Sequence, residues 1–308
     1  MAQEQSYTIE EIAAMLRVSK LTVYDLIKKG ELNSYRVGRQ MRIDESDLKD
    51  YKEKQKTGGK KKSVISDEAA SAPAGKSLVI SGQDIALDLL SNRLQQHLGI
   101  RTLRSYTGSL NSLIDMYNGE CDLVSMHLFD GESGSYNLPY VKRILSGHSF
   151  LVVHLLARWA GFYVKKGNPK KIQSWEDLMR DDVVMVNREK GSGARVLVDE
   201  QLLLHHLAKK DIHGYDNEEQ THISVASAVA RGTADVGIGI EKPSRMVDVS
   251  FIPLIKESYD LVILKKTGNE KYRQGLLDIL QSNSFQKELG GMGDYDLTDI
   301  GKIIYEAH

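Results

Sequence analysis

From Thr57 to Lys76 the chain reads TGGKKKSVISDEAASAPAGK. No apolar period of helix or strand runs through it, and small polar residues gain too little by burial to offset the entropy of ordering them. A core cannot continue across such a stretch, so the segments on either side must fold around separate cores. The chain therefore reads as a head (residues 1–56), a linker (57–76) and a body (77–308) long enough for a core in two parts. Charge divides at nearly the same place. Residues 1–62 carry 14 Lys and Arg against 10 Asp and Glu, and the remainder carries 27 against 32. A basic head on an acidic body predicts contact with a polyanion through the head alone. The triplet Lys60-Lys61-Lys62 reads as a solvated charge run. The one cysteine, Cys121, excludes an internal disulfide and a multi-cysteine metal site, and its place beside Asp122 predicts a buried, inert thiol. The other residues suggest no metal site and no cofactor.

The head carries the punctuation of a small DNA-binding unit. Thr8 with Glu11 makes a capping box for a helix bearing Ile9, Ile12, Ala13 and Leu16. After the short Arg17-Val18 turn, Ser19 caps a second helix whose apolar positions Val23, Leu26 and Ile27 share a face, and Gly30 stops it. This leaves Lys20, Thr22, Tyr24 and Lys28 on the outer face of a recognition helix, with Ser19 at its start. Residues 34–37 and 40–43 flank Gly38-Arg39 as a hairpin. Arg36, Arg39 and Arg42 make that hairpin a cationic wing for the phosphate backbone. A third helix is expected from Glu45 to about Gln55. Double-stranded DNA is the expected partner, read by a homodimer, because one small winged unit makes few base contacts.

The body alternates strands and helices, the pattern of an α/β fold with parallel layers. Strands are expected at Leu78–Ser81, Leu103–Ser105, Asp122–Met126, Trp159–Val164, Val183–Val186, Ala234–Ile240 and Asp260–Lys265. Helices are expected through Leu87, Leu90 and Leu94, from Val196 to about Lys209, and over His222–Arg231, Tyr272–Leu280 and Ser284–Leu289. Three strand-to-helix junctions put glycine and small polar residues at helix starts: Ser81-Gly82-Gln83, Thr107-Gly108-Ser109 and Gly191-Ser192-Gly193-Ala194-Arg195. Free N–H groups and the positive end of the helix dipole meet at such places, which suits a small anion. Arg195 adds a guanidinium fork, and His127 and Tyr136 follow strands closely enough to line the same site.

The head, with TIEEIAAMLRVSKLTVYDLIKKGEL and YRVGRQMRIDESDLKDY, resembles the excisionase/MerR-type winged helix-turn-helix family. The body, with NREKGSGARVLVDEQL and ADVGIGIE as the most specific segments, resembles a cytoplasmic periplasmic-binding-protein-like domain related to molybdate- and tungstate-binding proteins. Where that family has glycine-threonine, this chain has Gly193-Ala194 and lacks one hydroxyl. The resemblance implies a type II binding-protein fold of two α/β lobes. The first lobe is expected at about 78–158 and 253–308, the second at about 159–250, with the three junctions facing one cleft. It implies a ligand-responsive transcriptional regulator, not an enzyme, that senses a small oxyanion, with molybdate or tungstate first and sulfate, phosphate or a small organic acid open. The alternatives are an enzyme or accessory protein of molybdenum-cofactor metabolism, which the residues do not support with any nucleotide loop or paired acid and base, and an excisionase-like architectural DNA binder. The start MAQEQSYTIEE lacks the cationic and apolar parts of a secretory signal, and the apolar run Phe150–Val164 is broken by His154 and Arg158. A cytoplasmic protein with no membrane contact is the expectation.

Overall fold

A computed structural model describes residues 6–16, 20, 23, 26–27, 32–37, 40–56 and 77–307. The chain divides into two units between residues 71 and 72. In the first, Thr8 closes its capping box: its N–H donates to Glu11 Oε2 at 2.8 Å, and Glu11 N–H donates to Thr8 Oγ1 at 3.3 Å. The helix Ile9–Leu16 starts there. The strands Tyr35–Val37 and Gln40–Asp44 pair antiparallel, with Tyr35 opposite Arg42. The strand Ser6–Thr8 adds a third member, Tyr7 standing opposite Ile43; three residues are too few to show an alternation in sequence. The helix Glu45–Lys56 follows. Ile9, Ile12, Ala13, Val23, Leu32, Ile43 and Leu48 form the core; of these, Ile9, Ile12, Ala13 and Val23 are the apolar positions that the helix spacing predicts. The Arg17-Val18 turn, Ser19, Thr22, Tyr24, Lys28, Gly30 and the Gly38-Arg39 turn, and the linker 57–76, lie outside the described residues.

In the second unit nine of the described strands form one sheet, and Phe129–Asp130 and Ser135–Tyr136 form a separate hairpin. At one end Leu78–Ser81 pairs in parallel with Thr102–Ser105 and Leu123–Met126. At the other Met185–Arg188 pairs in parallel with Val236–Ile240 and Glu218–Glu219. Two 16-residue strands, Phe150–Lys165 and Val249–Leu264, run antiparallel through the middle and belong to both lobes. Both are longer than the expected Trp159–Val164 and Asp260–Lys265. Helices cover both faces of each end, so a strand there is apolar on both sides and its period of two disappears from the sequence. Leu151, Val153 and Leu155 pack under the helices Ala86–Leu98 and Glu270–Gln281, whereas Phe150 and Val152 face the opposite core with Leu113 and Met116. Farther along, Phe162 and Val164 enter the second lobe's core with Trp175 and Leu197, and Tyr163 turns to the other face.

The pairing of the two long strands is irregular at Pro253/Ile255 and at Tyr259/Asp260. The segment between the bulges, Ile255–Tyr259 against Ala160–Leu156, is the connection between the lobes, and bulges are where a paired strand bends. The third helix start also differs from expectation. The helix spans Gly193–Leu204, three residues earlier than Val196, and it stops before His206, which takes a positive φ of 56°. A further strand, Ile303–Glu306, brings the C-terminal segment back beside Phe150–Lys165.

Candidate functional site

A cleft of about 830 Å³ opens over the connecting strands and is lined from both lobes. Three helices begin at its wall: Ser109–Tyr117 from the first lobe, and Gly193–Leu204 and His222–Arg231 from the second. The lobes touch across it. A Cβ on Gly108 would stand 2.9 Å from Gly191 O and 3.1 Å from Ser192 N, and a Cβ on Gly193 would stand 2.5 Å from the His127 ring. The Leu110 N–H donates to Gly191 O at 3.0 Å. Glycine at 108 and 193 is what lets the two helix starts approach this closely.

The floor is a chain of buried charges. Arg158 and Glu257 are register partners on the two connecting strands. Arg158 Nε donates to Glu257 Oε1 at 2.6 Å, and its Nη1 donates to Asp84 Oδ2. Glu257 Oε2 lies 3.0 Å from His127 Nδ1. Asp84 also accepts from the Tyr295 hydroxyl at 2.9 Å and from Ala86 N–H at 2.7 Å, so a protein carboxylate already occupies the start of the helix Ala86–Leu98. The Tyr259 ring lies under the Arg158 guanidinium at 4.5 Å, and its hydroxyl bonds Ser125 Oγ at 2.7 Å. Burial works against the Arg158 cation, but Glu257 and Asp84 outweigh it and raise its pKa. Burial also opposes the Glu257 carboxylate, yet the charges of His127 and Arg158 hold its pKa down at about 2.

That depression gives a pH prediction. The stabilisation carried by Glu257 is fully present above its ordinary value of 4.5 and is lost as pH falls from there through about 2. Glu257→Gln is therefore expected to be less stable than the parent at pH 7, with the gap closing between about pH 4.5 and 2. Urea midpoints across that range measure it, and a gap that stays constant with pH would show that ionisation of Glu257 does not contribute.

A second charged cluster ties the lobes at the cleft edge. Arg188 is buried; its Nη2 donates to Gln83 Oε1 of the first lobe and to Glu189 Oε1, both at 2.8 Å, and to Gln220 O at 3.0 Å. The His222 imidazole lines the cleft with its Nδ1 buried and without a hydrogen-bond partner. Burial first, then the nearby Arg188, Arg158 and His127, push its pKa well below 6.5, so it is neutral.

Of the residues picked out in the sequence, Gly82, Gln83, Thr107, Gly108, Ser109, His127, Ser192 and Gly193 line this cleft. Four do not. Ser81 is buried one residue short of it, bonded to Ser112 Oγ at 2.8 Å. Tyr136 packs on Phe129 in a small hairpin, its ring 5.3 Å away. Ala194 is buried in the first turn of its helix. Arg195 turns back into the second lobe: Nη1 donates to Glu218 Oε1 at 3.0 Å and to Arg188 O at 3.2 Å, and the guanidinium stacks 4.3 Å from the Tyr215 ring centroid. Residue spacing places a side chain near a loop, but not the direction it takes from a helix's first turn.

Arg158, Glu257, Asp84, Arg188 and Thr221 were missed as site residues. A signal for the first existed: a charge inside FLVVHLLARWAGFYVK must be paired if buried. Cys121 is buried at the first lobe's core, where burial pushes its thiol up to about 12. Away from the cleft, Ser258, His154 and Asp260 cluster, but Ser258 Oγ and Asp260 Oδ1 meet the same ring nitrogen, Nδ1, at 3.1 and 2.8 Å. A nucleophile relay needs the two on opposite nitrogens. Among the described residues no group of three His, Cys, Asp or Glu is placed to hold a metal ion, and no helix is long and apolar enough to cross a membrane. In the head, Lys20 is exposed and bonded to Glu10 at 2.8 Å; Arg42 stands on the central strand of its sheet, and Arg36 lies on the neighbouring strand.

Comparison with known proteins follows the same division. Residues 6–56 match the helix-turn-helix domain family, and residues 91–281 match the family described as PBP superfamily domain. The protein YvgK of Bacillus subtilis (strain 168) is 50% identical over 310 residues, covering 100% of both chains. Among solved structures, the ancestral amino acid-binding protein AncCDT-1, a precursor of cyclohexadienyl dehydratase, superposes with a TM-score of 0.51 at 16% identity, covering 71% of this chain and 95% of that one. The sulfate-binding protein SubI from Mycobacterium tuberculosis H37Rv gives a TM-score of 0.50 at 15% identity over 71% of this chain and 85% of its own. At such identities the likeness shows the two-lobed fold alone. The chain belongs to the PBP superfamily domain family, with a helix-turn-helix domain preceding its two-lobed body.

Proposed function

We propose that this protein is a ligand-responsive DNA-binding transcriptional regulator, acting in the cytoplasm as a homodimer and not as an enzyme, whose body binds a small anion between its lobes. The observation that carries the reading is the meeting of helix starts from opposite lobes, Ser109 and Gly193, at one cleft wall, with the His222 helix start beside them. Helix starts supply N–H donors and a positive field without a bound counter-charge. Of the cations that line the cleft, Arg158 and Arg188 are already matched to carboxylates, and the Lys242 ammonium donates to Met292 O at 3.0 Å. An anion bridging the two lobes favours the closed arrangement, the hinge motion that such connecting strands permit. In a dimer, closure alters how two heads are presented to DNA.

Tetrahedral oxyanions are the first class to test, molybdate and tungstate ahead of sulfate and phosphate. The expected result is that one of them raises the melting temperature of the body and shifts the affinity of the full chain for the DNA upstream of its own gene by about 5- to 150-fold. Linkage requires DNA to change the anion's affinity by the same factor. Calorimetry with and without operator DNA checks both. An anion that binds with no effect on DNA affinity would leave a binding protein and remove the regulator.

A further inference from the structure

The cleft holds more than the anion needs. Its lobes already touch at Gly108 and Gly193, yet about 830 Å³ remains, within the range of about 300–1,000 Å³ typical of sites for organic ligands. A tetrahedral oxyanion displaces only a few waters' worth of space, on the order of 100 Å³. Beside the exposed polar residues Gln83, Asn111, Gln220 and Thr221, the outer lining carries four large apolar side chains. The floor is Arg158, Asp84, His127 and Tyr259, all buried. Toward solvent the first lobe contributes Ile85 and Tyr106, 50% and 64% exposed, and the second contributes Ile223 and Met246, 41% and 64% exposed. Single exposed apolar side chains are ordinary on any surface. Four that line one cavity from both of its walls form a patch, and such patches mark binding.

Building on the anion reading above, we propose that the natural ligand is an organic anion. Its charged group sits at the helix starts of Ser109, Gly193 and His222, and its apolar body lies between Ile85 and Tyr106 on one lobe and Ile223 and Met246 on the other. A bare oxyanion would leave these four side chains in water in the bound state. An apolar body removes them from it and ties the lobes together at the mouth as well as at the floor, which adds to the free energy available for closure. The neutral His222 is compatible with this arrangement, since it lines the cleft without adding a charge beside the apolar body.

The test uses the full chain and matched probe pairs in calorimetry: inorganic phosphate with phenyl phosphate, and acetate with phenylacetate. In at least one pair the phenyl member is expected to bind at least about tenfold more tightly. Ile223→Ser with Met246→Ser is expected to erase that gain while leaving the smaller member's affinity unchanged; both residues are exposed, so folding is not at stake. Equal affinities within each pair, or binding by molybdate, sulfate or phosphate alone, would overturn the organic body and leave the anion reading standing. A phenyl gain that survives the double substitution would overturn its placement at the mouth. Binding by no probe, inorganic or organic, would remove both readings.

Discussion

Replacing Arg158 with methionine is expected to destabilise the body by about 3–5 kcal/mol, the cost of leaving buried charges without their partner. Arg158 stands on a connecting strand with its side chain 5% exposed and holds Glu257 and Asp84, which are 2% and 3% exposed. Methionine fills much of the volume but supplies no donor, so two carboxylates face each other in a site from which water is largely excluded. The loss should propagate in both directions. Asp84 caps the helix Ala86–Leu98 and accepts from Tyr295; Glu257 orients His127 at the cleft wall. Urea unfolding followed by tryptophan fluorescence measures it cleanly, because Trp159 and Trp175 both lie in the body. Combining Arg158→Met with Asp84→Asn and Glu257→Gln should recover a substantial part of the loss, since the amides carry no charge to be left unpaired. A single-variant loss below about 1 kcal/mol, the range of exposed ion pairs, would show that water reaches this cluster and that it does not hold the connection between the lobes.

The same cluster shows where sequence reasoning stops. In the head, the capping box and the paired strands were legible because their signals are local, each within a few residues. The two-lobed body was legible through its alternation and its resemblance to a known fold. The first glycine-bearing junction, Ser81-Gly82-Gln83, ends before its helix begins at Ala86. The second and third were legible as helix starts, because glycine and hydroxyl residues have few other reasons to stand at the end of an apolar strand. Their individual roles were not. The first junction proved to be filled from within by Asp84, and Arg195, the most prominent cation near the third, serves Glu218 and Tyr215 instead. The charges that do form the floor come together from positions 84, 127, 158 and 257, so only long-range register assembles them. Arg158 faces Glu257 because the two long strands pair in one register between two bulges, and neither the register nor the bulges has a local signature in an apolar run buried on both faces.

Gly108→Val should act as a wedge that closes off the bound state without unfolding either lobe. The added side chain meets backbone, not a movable side chain: Gly191 O at 2.9 Å and Ser192 N at 3.1 Å from the position of its Cβ. The conflict exists only while the lobes touch, and opening about the strands Ile255–Tyr259 and Leu156–Ala160 relieves it. The penalty, about 1–3 kcal/mol for an overpacked contact, therefore falls on the closed state. An anion that must bridge the lobes pays it on binding and should lose about 5- to 150-fold in affinity, and any DNA response driven by closure should fall with it. Two readouts need no ligand. The Leu110 amide, which donates to Gly191 O, should exchange its hydrogen faster, and small-angle scattering should show a larger radius of gyration. The urea stability of the body should change little, because the cores of both lobes and the sheet that joins them remain intact. Gly290→Ala is the control: its Cβ would meet only Leu297 Cδ1 at an ordinary 3.7 Å, and it should leave exchange at Leu110 untouched. If Gly108→Val kept the Leu110 amide protected and the scattering profile unchanged, the contact would be adjusting locally, and closure through this pair of helix starts could not be what couples the cleft to the head.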